Sequence, residues 1–257
     1  HPGDILPVKI AVCIKRAPDS ETRFKIGSSG TGIDEAGVKF DISDFDSYAV
    51  EFALQTIEKG GGGEVVVYSV GTDASQETLR KALSMGVERA VLLKTDAPVF
   101  DSMAVARALA AELQGGGYDL ILFGKVAADT AAGAVGAMTA ELLGLPVVNS
   151  VSKLDVGGGK GTARRDLEGA AESIEFPLPA VVSIDEGIAR PRYPSLKGIM
   201  AAKKKPLETK PAQLGDVRVS IVKMELPADR PPGRIIGEGA AAVPELVRLL
   251  QTEAKVL

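Results

Sequence analysis

The sequence predicts an α/β fold, a doubly wound and mostly parallel sheet, on three observations. Short, β-branched apolar runs recur at residues 8–14, 65–70, 90–93, 120–123 and 180–184. Runs apolar on both faces suit strands covered by helices on each side. Helical patterns alternate with them, at residues 47–58, 75–85, 103–113 and 131–143, and several close on glycines such as Gly60 and Gly144. Strands alternating with helices are the signature of βαβ units. Finally, 257 residues, 45% of them hydrophobic and 25% charged, are enough for one large domain with a core, or one domain with an appendage.

Two stretches interrupt the alternation. Residues 22–40 are rich in Gly, Ser and Thr and read as an excursion off the first strand. Residues 153–175, with glycines from Gly157 to Gly161 between polar strand-like segments, read as a β-hairpin projecting from the sheet. After about residue 205 the pattern changes to prolines, one strand-like piece at 217–224 and a final amphipathic helix near 244–257. Such a tail carries too little apolar surface to fold alone and is expected to pack on this domain or on a partner. The expected division is a nucleotide-binding α/β domain over residues 1–226 and a C-terminal arm over 227–257.

Composition narrows the chemistry. The single histidine is His1, so no interior imidazole serves as general base or metal ligand, which argues against Ser-His-Asp hydrolases, zinc sites and most haem proteins. One cysteine, Cys13, makes no intramolecular disulfide, and neither a signal peptide nor an apolar span of about 20 residues is evident. The chain is therefore expected to be intracellular and not membrane-inserted. A net charge of −4 gives no global attraction to nucleic acid, and the basic run Lys203, Lys204, Lys205 lacks interleaved aromatics.

The main candidate site follows the fourth predicted strand: Gly124, Lys125, Val126, Ala127, Ala128, Asp129, Thr130, Ala131, Ala132, Gly133, Ala134 and Val135. A strand-to-helix turn of small residues offers backbone N–H groups at the positive end of a helix dipole, where phosphate binds. Its spacing fits neither GxxxxGK[ST] nor GxGxxG, and a small-residue helix packed on the sheet is the alternative. Cys13, at the end of the first strand, reads as a buried inert thiol whose backbone could line a pocket. Phe45 in Ser43-Asp44-Phe45-Asp46 reads either as a staple on the following helix or as an aromatic facing a ligand.

Three segments together resemble the beta subunit of electron-transfer flavoproteins: Lys9-Ile-Ala-Val-Cys-Ile-Lys-Arg16, Gln76-Glu-Thr-Leu-Arg-Lys-Ala-Leu-Ser-Met-Gly86, and Leu178-Pro-Ala-Val-Val182 with Pro191-Arg-Tyr-Pro-Ser-Leu196 and Ile199-Met-Ala-Ala-Lys-Lys-Lys205. The resemblance implies a Rossmann-like sheet related to adenine-nucleotide hydrolase-like domains, and a heterodimer whose alpha subunit is embraced by the C-terminal arm and holds most of the redox FAD. It implies an electron carrier without acid, base or nucleophile of its own, in the bacterial cytoplasm or the mitochondrial matrix. Electrons would come from flavin dehydrogenases such as acyl-CoA dehydrogenases and pass to a quinone oxidoreductase or another acceptor. This subunit would bury a structural AMP or, in electron-bifurcating members, a second FAD. Cys13, Ser43 to Asp46, Val70 and the turn from Gly124 to Val135 match the cofactor positions, with Phe45 approaching the partner-held flavin. Arg192, Tyr193, Leu196, Ile199 and Met200 match a loop that docks dehydrogenases, with Leu196 as its anchor, and Asp166 matches an acid that holds the mobile flavin domain. The sequence departs from the family pattern at Thr130 and Ala134-Val135, at Ser43-Asp44 in place of Asn-Pro, at Arg190 in place of glutamate and at Lys197 in place of proline. A stand-alone adenine-nucleotide module is the rival reading.

Overall fold

The computed structural model describes residues 8–230 and 232–257, in two compact units that divide between Lys223 and Met224. In the first unit, strand β1 (Val8–Cys13) leads into an excursion whose ends pair antiparallel as β2 (Arg16–Pro18) and β3 (Phe40–Ile42). Then come α1 (Asp44–Lys59), β4 (Gly63–Gly71), α2 (Ser75–Met85), β5 (Arg89–Lys94), α3 (Ser102–Leu113), β6 (Leu120–Gly124) and α4 (Val135–Leu143). β7 (Val147–Gly157), β8 (Lys160–Leu167), β9 (Ala170–Pro177), β10 (Ala180–Ile184), α5 (Leu196–Ala202) and β11 (Leu207–Pro211) complete it.

Nine strands form one sheet in the order β11-β5-β4-β1-β6-β10-β7-β8-β9. The run from β11 to β7 is parallel, and β8 and β9 extend it antiparallel. Side-chain alternation sends Ile10 and Val12 to one face, under α1 and α2, and Ala11 and Cys13 to the other, under α3 and α4. Both faces are apolar because both are covered, as the doubly wound reading requires.

Four differences from the sequence reading have local causes. The fourth helix starts at Val135 rather than at 131, because Ala131 (φ 50°) and Gly133 (φ 57°) are left-handed and the Ala131 N–H closes a turn on the Ala127 carbonyl. α1 starts at Asp44, so Phe45 and Asp46 lie in its first turn instead of preceding it. The expected hairpin is a three-stranded extension; Gly158 and Gly159 at φ 58° and 77° form its first turn, as two-residue hairpin loops demand. The expected strand at 217–224 does not form: the Arg218 and Val219 N–H groups donate instead to the Asp101 carboxylate, at 2.7 and 3.2 Å, whose other oxygen caps α3.

The second unit holds a 3₁₀ turn (Ala240–Ala242), α6 (Val243–Leu249) and a π-helical turn (Leu250–Ala254), with Arg234 bridging Glu253 at 2.6 Å. Its apolar residues Leu226, Ile235, Val243, Val256 and Leu257 are exposed.

Candidate functional site

From β1 the chain winds to β4 and β5 on one side, then crosses back to β6 and β10 on the other. The crevice beyond the carboxyl ends of β1 and β6 is thus a topological switch point, where ligands of doubly wound sheets bind. A cavity lies there. Of the residues singled out in the sequence, it brings together Cys13, Asp46, Val70, Gly124 to Ala127, Thr130 and Ala132 to Val135. It does not reach Ser43, Asp44, Phe45, Ala128, Asp129 or Ala131. Phe45 packs edge-on against Tyr48, with centroids 6.1 Å apart, and Asp129 faces outward as an ion-pair partner.

Asp46 organises the cavity floor. Its Oδ2 accepts the Lys15 N–H at 2.8 Å and its Oδ1 the Gly124 N–H at 2.9 Å, so one carboxyl joins the ends of β1 and β6 to the first turn of α1. Gly124 is what permits this approach: a Cβ there would stand 2.4 Å from Asp46 Oδ1 and 2.6 Å from its backbone nitrogen. Burial pushes the Asp46 carboxyl up to about 7, against the two backbone N–H bonds and the Lys15 charge that favour its ionised form. The Cys13 thiol is pushed well above its usual range by burial and by Asp46, so it is a weak nucleophile.

The rim is set by lysines. Lys15 Nζ donates to Asp129 at 2.8 Å and to Thr130 Oγ1 at 3.1 Å, tying the outer part of the turn to β1. Lys125 Nζ donates to Asp185 at 2.8 Å, across the end of β10. Between them, α4 begins without a side-chain cap at Ala134, and Ala134, Val135 and Gly136 line the cavity. Uncapped N–H groups at a helix start attract an anion.

Sequence reasoning missed the opposite wall. Val99, Phe100, Val105 and Leu109 come from α3 and the loop before it, and Tyr68 from β4, its hydroxyl 2.5 Å from that of Tyr118. Phe100 follows β5, which is separated from β1 by β4, so its place in the cavity comes from the sheet order and not from a strand next to the switch point. Asn149 and Ser183 enter through a β-bulge between β7 and β10, where Ser150 is left-handed (φ 57°) and donates its N–H to Ser183 Oγ at 2.8 Å. Nothing in the local sequence marks that bulge.

A second feature lies away from the cavity. Leu196 opens the seven-residue helix α5 rather than sitting on a loop, and Ser195 Oγ caps it by accepting the Gly198 N–H at 3.0 Å. Tyr193, Leu196 and Met200 are 94%, 83% and 71% exposed, and Ile199 is 45% exposed, an apolar patch of the kind that marks an interface. The helix is braced underneath. A Cβ on Gly198 would stand 2.5 Å from the Ser84 carbonyl oxygen, so α5 and the end of α2 touch backbone to backbone. Arg80 donates to the Ala202 and Lys205 carbonyls, and Lys205 donates to those of Leu83 and Val87. Arg192 forks onto two carboxylates of α1, reaching Glu51 at 2.8 and 3.0 Å and Glu58 at 2.7 and 3.0 Å. Burial raises the Glu51 pKa, but the Arg192 and Gln55 hydrogen bonds outweigh it and hold the carboxyl below its ordinary value. On the antiparallel extension, Asp166 is shared between Ser152 Oγ at 2.5 Å and Arg164 at 2.9 Å.

Residues 30–214 match the electron transfer flavoprotein domain. Over 97% of its length the chain is 38% identical to the electron transfer flavoprotein subunit beta of Syntrophomonas wolfei, covering 98% of that protein. The chain belongs to this family of beta subunits. With the same 97% coverage it is 36% identical to the Bacillus subtilis subunit beta and 35% identical to the mitochondrial subunit beta of Oryza sativa, each matched over 100% of its length. The mostly parallel sheet with flanking helices is consistent with that family. Among the described residues, no helix is long and apolar enough to cross a membrane and no His, Cys, Asp or Glu cluster is arranged for a metal.

Proposed function

We propose that this chain is the nucleotide-holding and docking half of a heterodimeric electron carrier. The observation that carries the reading is the exposed patch of Tyr193, Leu196, Ile199 and Met200 on a helix braced from beneath. A stand-alone nucleotide module has no use for such a patch, whereas an apolar anchor on a rigid support suits a surface that must find a partner's pocket repeatedly.

The cavity fits an adenine nucleotide. Its turn is built of Gly and Ala with the uncapped start of α4 facing inward, which suits a phosphate. Val99, Phe100 and Leu109 offer an apolar wall to a flat base. We assign AMP to this pocket as a structural ligand, with a second FAD, as in an electron-bifurcating carrier, as the alternative outcome. FAD held mainly by the alpha subunit supplies the redox chemistry. This chain positions it, with Phe45 on the first turn of α1 covering one side, and contributes no acid, base or nucleophile. Residues 227–257, which fall within the second compact unit, are the arm that we assign to the alpha subunit. Asp166 is the acid we assign to holding a mobile flavin domain; Asp166→Asn then changes domain mobility in solution scattering, and unchanged scattering and transfer rate would remove it from the mechanism.

Two measurements test the proposal. Denaturing release from the co-purified heterodimer is expected to give one FAD and one AMP per pair; two FAD and no AMP would mean bifurcation, and no flavin would end the carrier reading. Leu196→Ala is expected to slow reduction by an acyl-CoA dehydrogenase about tenfold or more, as the loss of a buried anchor does, with flavin content unchanged. Lost flavin would make α5 a structural element instead.

A further inference from the structure

Between Ile188 and Lys205 the sequence has six cations, Arg190, Arg192, Lys197, Lys203, Lys204 and Lys205, and no carboxylate, in a chain whose net charge is −4. The structure sorts these six into two groups. Arg192 is neutralised by Glu51 and Glu58, and Lys205 is turned inward onto the carbonyls at the end of α2, with Glu88 nearby. Arg190, Lys197, Lys203 and Lys204 are exposed, and none makes an ion pair among the described residues.

Of the free cations, Lys197, Lys203 and Lys204 lie on or directly continue the patch's helix, and Arg190 precedes it in the segment leading to Tyr193. Leu196, Met200 and Lys203 follow at i, i+4 and i+7, and Lys197 and Lys204 form the adjacent stripe, because Lys203 continues the helical backbone past Ala202. An apolar anchor is thus flanked along α5 by uncompensated positive charge, while the carboxylates of α1 that could have compensated it are occupied by Arg192. We propose that this surface selects a partner whose apolar pocket is edged by carboxylates, with Arg190, Lys197, Lys203 and Lys204 as specificity-determining cations. The proposal rests on the docking role assigned to the Leu196 patch. Rim charges of this kind act through the encounter rate and the exclusion of wrong partners, more than through the lifetime of the complex.

The test uses the intact heterodimer and the acyl-CoA dehydrogenases of the source organism, each reduced with its acyl-CoA and mixed by stopped flow. With the fastest donor, the second-order rate constant is expected to fall about tenfold between roughly 20 and 300 mM salt. Arg190→Glu/Lys197→Glu is expected to be about tenfold slower at low salt, to lose or invert the salt dependence, and to approach the unsubstituted protein at high salt. Arg23→Glu/Lys25→Glu, the same charge change on the excursion, is expected to track the unsubstituted protein. If the control behaves like the rim variant, overall charge is at work and the rim assignment falls. If the unsubstituted rate is flat or rises with salt while Leu196→Ala is slow, docking at α5 stands and the acidic-edged partner is wrong. If Leu196→Ala is as fast as the unsubstituted protein, or no dehydrogenase reduces it, the docking reading fails and takes this inference with it.

Discussion

Asp46 makes the stability of this fold depend on pH in the direction opposite to a salt-bridged carboxylate. Its pKa rises from 3.8 unfolded to about 7 folded, so the native state binds the proton more tightly. The stability this contributes is complete below the unfolded value and is lost as pH rises through the folded one, a window of about 4 to 7. About three units at 1.36 kcal/mol each set the loss at about 4 kcal/mol. Asp46→Asn removes the titration. The amide oxygen keeps one of the two N–H bonds, from Lys15 or Gly124, while its NH₂ opposes the other, a cost of about 1–3 kcal/mol that does not vary with pH.

The expectation concerns the difference between the two proteins. Urea unfolding of the heterodimer at fixed concentration, followed by circular dichroism across this window, should find the Asn variant less stable at the acid end. Its deficit should then close, and by about pH 8 the variant should match or exceed the unsubstituted protein. Taking the difference cancels every other titrating group that the substitution leaves alone. A difference that stays constant with pH, or one that grows, would refute the account of Asp46 as a carboxyl kept neutral by burial.

Two further substitutions probe the supports of the site and the patch. Gly124→Ala puts a methyl 2.4 Å from Asp46 Oδ1 and 2.7 Å from the Phe45 carbonyl carbon, so β6 and α1 must separate; nucleotide content per heterodimer should drop, and full retention would show that the junction is compliant. Arg192→Ala leaves Glu51, 3% exposed, with Gln55 as its remaining side-chain hydrogen-bond partner, at a cost of about 1–3 kcal/mol; the melting temperature should fall, and Arg192→Lys, which lacks the fork, should recover only part of it.

How far the sequence could be read depended on where the deciding contacts lay. α2 was legible to its ends: Leu79 and Leu83 face the core one turn apart, and Gly86, at φ 134°, stops the helix with a backbone that other residues avoid. The central parallel strands β1, β4, β5, β6 and β10 were legible because burial on both faces leaves their middles almost wholly apolar. Asp101 was not legible as the residue that pins the tail, because its second pair of donors comes from residues 117 and 118 positions away. Nor was β11, whose edge position tolerates Glu208 and Lys210 and so hides the apolar run that marks a strand. In the site, the small-residue turn announced itself by composition, while its far wall is assembled from α3 and a bulge by the topology alone.

The same distinction separates residue type from role within segment 190–205. Read as letters, its cations are equivalent, and Arg192 is as plausible a docking contact as Lys197. What divides them is whether a carboxylate or a carbonyl already faces each one. Arg192 meets Glu51 on a neighbouring helix more than a hundred residues away in sequence, and Lys205 meets the end of α2. Both therefore hold α5 in place, and a substitution at either should act on stability and on the pose of Leu196 together. Arg190 and Lys197 face no such partner among the described residues, so under the proposed docking role their substitution is expected to change a second protein's approach and to leave the fold untouched. Separating the two classes by melting temperature on one side and by salt dependence on the other turns a basic stretch into two distinct physical functions.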